Sequence, residues 1–173
     1  YDVMRGWTSD GNADQRFEAN KSDAEVTTGS SLLKPTATGF ALTTTNSGLN
    51  ASGNNYIYIA IRRGPMAVPE SATDVFAIDQ QNSSEPYLTS GFPVDFAFQK
   101  RKDTSSNWMT GSRLQGQRQL NLDLTAVEAS ETAHEWDYMN GFRSSGYSTD
   151  WFGWMWKRAP NYFDVVAYDG VTG

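Results

Sequence analysis

The sequence predicts an all-β fold, an antiparallel β-sandwich built from two related halves, and three observations predict it. Short runs rich in aromatic and β-branched residues are separated by tracts of Ser, Thr and Asn and by 15 glycines, which is the composition of strands joined by turns. Val94-Asp95-Phe96-Ala97-Phe98-Gln99-Lys100 and Gln119-Leu120-Asn121-Leu122-Asp123-Leu124 alternate apolar with polar, the period-2 signature of a sheet with one wet face and one core face. The third observation is an internal repeat, in which three marks recur in the same order about 100 residues apart, a period too long for the roughly 20–50-residue units of helical solenoids.

The repeat opens with residues 15–25, which resemble residues 118–128, and each segment is followed by a Gly-Phe pair, Gly39-Phe40 and then Gly141-Phe142. Each pair leads to an apolar-aromatic run closed by two cations, one residue and a proline: Tyr56-Ile57-Tyr58-Ile59-Ala60-Ile61-Arg62-Arg63-Gly64-Pro65, then Trp151-Phe152-Gly153-Trp154-Met155-Trp156-Lys157-Arg158-Ala159-Pro160. On this reading residues 1–65 are the first half and 92–160 the second. Residues 66–91 are the connector, where Pro69 and Pro86 interrupt ladder bonding, and 161–173 start a following segment. A single compact sandwich over 1–173 is the other division. Residues 57–63 and 152–158 should then be equivalent strands.

In chain order, the expected strands are 56–63, 75–78, 94–100, 119–124, 151–157 and 162–168. Tyr58, Ala60, Phe96, Phe98, Leu120, Leu122, Leu124, Phe152, Trp154 and Trp156 are expected to supply the core, with alternate members of each strand facing inward. Thr125 and Glu128 fit a capping box, but residues 22–28, their counterparts in the repeat, have no helical period, so a loop is expected there.

Composition removes several function classes. Aromatics are 13% of the chain and charged residues only 20%, the reverse of the disordered signature, so the chain is expected to fold. A net charge of −6 disfavours nucleic acid and anionic membrane, whose affinity draws on clustered Lys and Arg. Cysteine is absent, which removes disulfides, thiolate metal sites and Cys nucleophiles. No apolar stretch approaches the roughly 20 residues of a membrane-spanning helix. The first residue, Tyr1, and the turn-like Asp169-Gly170-Val171-Thr172-Gly173 read as cut ends of a longer protein.

Few residues point to chemistry. His134 is the single histidine, and with no second His or Cys a transition-metal site would need carboxylates around one imidazole; a packed core histidine is the simpler reading. No nucleophile elbow accompanies His134, Glu135 and Asp137, and no carboxylate pair is singled out for glycosidase work. Asp10, Asn12 and Asp14 have the alternating oxygen ligands that open a calcium loop, yet Gln15 stands where glycine belongs and Lys21 where an acid belongs. Calcium is the only cofactor the sequence raises, and a plain polar turn competes with it. Tyr147, Trp151 and Tyr162 could stack on a sugar or a partner, against core anchoring by the same aromatics. Three Asn-x-Ser sequons at Asn20, Asn50 and Asn82 are expected by chance in a chain so rich in Asn and Ser.

Gly39-Phe40, Asn50-Ala51-Ser52-Gly53, the run from Tyr56 to Met66 and the run from Trp154 to Tyr168 together resemble a repeated domain of uncharacterised function in long virion proteins of marine and freshwater phages, particularly cyanophages. The resemblance touches nearly the whole chain. It implies a jelly-roll sandwich of the concanavalin A-like lectin type and a virion or extracellular location, in a tail fibre, adhesin or capsid appendage. It brings no catalytic motif. Three readings therefore stand: a structural particle module that packs against copies of itself or other virion proteins and presents loops such as 43–55 and 143–150, a glycan-binding receptor-recognition domain, and an enzyme. The first is the leading expectation, with no catalytic residues, no nucleic acid and no membrane insertion.

Overall fold

The computed structural model describes residues 1, 14–19, 21–28, 32–36, 39–61, 66–144, 146 and 148–168. Four short strands come first, β1 (Asp14–Arg16), β2 (Val26–Thr28), β3 (Leu33–Thr36) and β4 (Gly39–Leu42), paired β1 with β2 and β3 with β4. A single helical turn, α1 (Ser47–Asn50), follows, capped by Asn46, whose Oδ1 accepts from Gly48 N at 2.8 Å. After a 3-10 turn at Ala72–Asp74, eight more strands run in order: β5 (Phe76–Gln80), β6 (Leu88–Thr89), β7 (Phe96–Arg101), β8 (Met109–Ser112), β9 (Arg118–Asn121), β10 (Ala129–Ser130), β11 (Gly141–Phe142) and β12 (Trp151–Trp156). Every pairing of these strands is antiparallel, so the all-β expectation holds. The main sheet has six strands in the order β10-β9-β8-β7-β12-β5.

β12 is the strand paired along both of its edges, with β7 on one side and β5 on the other. Its register sets Trp154 between Phe98 and Ile78, and Met155 between Ala97 and Ala77. Side chains alternate across a strand, so Ala77, Ala97, Gln99, Gly153 and Met155 share one face while Phe76, Ile78, Phe96, Phe98, Trp154 and Trp156 share the other. The first face carries the core. Leu88, Phe92, Val94, Ala97, Trp136, Phe142 and Met155 form one buried cluster, in which the short β6–β11 ladder lies over the sheet.

That layer approaches closely because of two glycines. A Cβ on Gly153 would come within 2.5 Å of Leu88 Cδ1, and one on Gly141 would fall on the Leu88 carbonyl oxygen and 2.5 Å from Pro86 Cγ. Several polar groups in the same region make specific bonds: Trp136 Nε1 donates to Gly116 O at 2.9 Å, Gln81 Nε2 to Ser144 Oγ at 2.7 Å, and Arg113 Nε and Nη2 to Val94 O at 3.1 and 2.8 Å. Buried Asp95 accepts from Arg158 N at 2.8 Å and lies 3.5 Å from Arg113 Nε, which locks the entry of β7 to the exit of β12.

The core expectation is corrected in its register. The strands at 94–100 and 151–157 exist, but the smaller and more flexible side chains face the core and the aromatics face away. Close packing between layers selects Gly, Ala and Met where the β6–β11 ladder presses in. Leu120, Leu122 and Leu124 are exposed: β9 ends at Asn121 and the chain turns at 122–124. The expected strand at 56–61 is absent, with Ile57 99%, Ile59 87% and Ile61 90% exposed; residues 62–63 lie outside the described residues. Residues 57–61 are thus not equivalent to β12, since a run apolar on both faces needs cover on both faces and has none here. Residues 164–168 form no strand either, although Ala159 and Phe163 are joined by a bridge.

Candidate functional site

The outward face of the main sheet is an array of aromatic rings. Phe98 is its centre, stacked on Trp154 at 5.3 Å and 27° and in contact with Trp156 at 4.9 Å and Trp108 at 5.7 Å. Phe76 and Phe96 flank Trp156 at 5.0 and 5.7 Å, and Phe163 closes the same end at 5.8 Å from Phe96. Cross-strand register brings them together: Phe96, Phe98, Trp154 and Trp156 are same-face neighbours on β7 and β12, where aromatic pairs each stabilise by roughly 0.5–1.5 kcal/mol beyond area burial.

No second sheet covers these rings among the described residues. All are half-buried by one another, and Ile78, beside Trp154 on β5, is 54% exposed. The rim is cationic at one end, with Lys100 Nζ 5.5 Å from the Trp108 ring and Lys102 Nζ 5.8 Å from the Phe152 ring. Lys100 also donates to the Ser106 carbonyl, which fixes the Trp108 loop beside the array. The surface can therefore take an apolar or flat partner and anchor a polar or anionic edge through the lysines.

Of the residues predicted as contacts, Trp151 and Tyr162 do not assemble there. Trp151 is at the start of β12, on the face opposite Trp154, with the Arg101 guanidinium 5.9 Å from its ring. Tyr162 lies in the turn beyond the other end of the strand, where its N–H donates to Ala159 O at 3.2 Å, so the strand's length separates the two. Tyr147 lies outside the described residues, as do Asp10 and Asn12; Asp14 opens β1, opposite Thr28. Among the described residues no three metal-binding side chains cluster.

His134 is a core residue. It is buried between Trp136 and Phe142, with ring centroids at 6.1 and 5.2 Å, and its Nδ1 lies 3.2 Å from Arg118 O. Burial pushes its pKa below the ordinary histidine value, against the opposing pull of the Arg118 carbonyl and Glu131.

A second cluster was not legible in the sequence because its members lie far apart in the chain. The Tyr138 hydroxyl is 3.0 Å from Glu85 Oε2 and 3.3 Å from Glu135 Oε2, and Arg143 pairs with both carboxylates, 3.1 Å from Glu85. Burial, reinforced by Glu85 and Glu135, raises the Tyr138 phenol above its usual value. The two carboxylates come together, but Arg143 and Tyr138 occupy their oxygens, and the surface hollows of about 350 and 300 Å³ are lined by other residues. What this cluster does chemically is clamp the 85–87 turn to the segment preceding β11.

The aromatic array was half legible. Alternating Phe and Trp in two runs announce it, whereas Trp108, from a loop, and Phe163, from a turn, carry no periodic signal. Compared with family models, with curated proteins and with solved structures, the chain matches none.

Proposed function

We propose that this chain is a structural module of a bacteriophage particle, a segment of a tail fibre, adhesin or capsid appendage, that works by assembly with neighbouring copies and not by catalysis. The observation that carries the assembly reading is the aromatic face of the main sheet, because seven partly exposed rings side by side form a contiguous apolar surface of the kind that marks contact sites. The phage setting, and with it a virion or extracellular location, rests on the resemblance of the quoted motifs. Loops 43–55 and 143–150 are then the surface offered to a host, since Gly, Ser and Asn loops tolerate change.

A glycan-binding role is the second reading, favoured by the flat faces of Trp154 and Phe98, on which a pyranose ring could stack. The isolated chain's mass measured over a wide concentration range separates the two. Assembly predicts concentration-dependent association that Trp154→Ser weakens; a monomer at every concentration whose Trp fluorescence responds to soluble glycans would replace assembly with recognition.

A further inference from the structure

Two unmatched features of the chain complement each other. Residues 56–61, Tyr-Ile-Tyr-Ile-Ala-Ile, are the most strongly β-forming run in the sequence, yet among the described residues they join no ladder, and their three isoleucines are almost wholly exposed. Among the described residues the main sheet meanwhile ends in an edge strand, β5, which bonds to β12 on one side and to no strand on the other.

The hydrogen-bond phase of that edge is fixed. Gln81 N donates to Trp151 O and Lys157 N to Val75 O, both near 3 Å, so odd-numbered residues of β5 bond to β12 and even-numbered ones point the other way. Gln80 N is taken by the Asp79 carboxylate at 2.9 Å. Phe76 and Ile78 aim their amides and carbonyls away from the sheet, as acceptors of one more strand. The side chains agree: Ile78 stands half-exposed beside Trp154, so a strand laid along β5 extends the aromatic face with one row of its residues.

The occupant is a second copy. In its own chain the run is held elsewhere, with the Tyr56 hydroxyl donating to Ser47 O and accepting from Ala51 N, each at 2.8 Å, and Tyr58 edge-on to Phe40 at 5.2 Å. Those contacts tie Tyr56 to the α1 turn and Tyr58 to β4, and leave Ile57, Ile59 and Ile61 exposed. We propose that residues 56–61 of one copy add as a strand to the β5 edge of another, which rests on the assembly reading and names its contact. Donor and acceptor are different patches, so the contact is head-to-tail: it closes if two copies exchange strands and propagates if they do not.

The test uses the full chain in three forms, wild type, Ile59→Asp and Ile78→Lys. Both positions are exposed, so neither change touches the core. Hydrogen exchange and solution mass are followed over a concentration series. The expected result is that amides of 56–61 and of β5 gain protection as concentration rises, and that each variant alone loses both protection and association. Mixing the variants should restore one donor and one acceptor, giving a two-chain species and nothing larger. Three outcomes overturn the inference. If both variants still associate and Trp154→Ser does not, copies meet through the aromatic face alone and the assembly reading stands. If 56–61 is protected in a monomer at all concentrations, the strand docks on its own sheet. If the wild type stays monomeric with 56–61 unprotected, the assembly reading fails as well.

Discussion

At the scale of single residues, His134 concentrates the pH dependence of the fold. The unfolded chain's imidazole takes up a proton at about pH 6.5, whereas the buried ring, wedged against Trp136 and Phe142, does so only at lower pH. Between those values the unfolded state binds more protons. Stability from this group is therefore complete above the ordinary histidine value and is lost as pH falls toward the folded one, by up to about 1.4 kcal/mol per pH unit. Urea midpoints at pH 7.5 and at steps down to 5 should show that slope in the wild type and a flatter one in His134→Gln. Equal slopes would mean that another group governs the acid limb. The histidine's role was legible from the sequence, since a lone imidazole among aromatics has nothing to form a metal site with; its partner Arg118 O was not, because it comes from a strand 16 residues away.

At the scale of elements, β12 divides two functions between its faces. Met155 is fully buried against the β6–β11 layer, and Trp154 is half-buried in the aromatic array. Met155→Ala should cost about 2–5 kcal/mol by removing core contacts and leaving a cavity, with association of the folded protein unchanged. Trp154→Ser should do the reverse, weakening association while costing less stability than a wholly buried Trp, about 3–5 kcal/mol when truncated. Chemical denaturation and solution mass read the two effects separately, and a Trp154 variant that unfolds without altering association would assign its ring to the core after all. The alternation at 94–100 and the aromatic run at 151–156 were enough to place the two central strands. They did not reveal which face is inside, because hydrophobicity favours the rings while the sheet face under β6–β11 carries Gly, Ala, Met and Gln residues. Gly153 holds that answer: its missing Cβ is where Leu88 sits.

At the scale of the whole molecule, the core is unevenly distributed along the chain. Every buried apolar residue described, from Val75 to Ala159, belongs to the part after residue 66, and the described residues of 14–61 contribute none. The repeat in sequence suggested equal halves, and the Gly-Phe pairs do both sit in two-stranded ladders, Gly39 in β3–β4 and Gly141 in β6–β11. Among the described residues only the second ladder has a sheet beneath it, which periodicity cannot disclose because pairing partners are set by burial and not by local pattern. Cooperative unfolding follows the buried cluster, so a chain of residues 66–168 should keep a single sharp denaturation transition and the near-ultraviolet signal of Trp136 and the aromatic array. Its midpoint should lie close to that of the full chain at low protein concentration. Residues 1–61 alone should show no cooperative transition, since two isolated hairpins bury too little to offset the entropy of ordering them. The converse, a 66–168 chain that fails to fold while the full chain unfolds in one step, would place part of the stabilising core in the first sixty residues and would require them to cover the aromatic face of their own sheet.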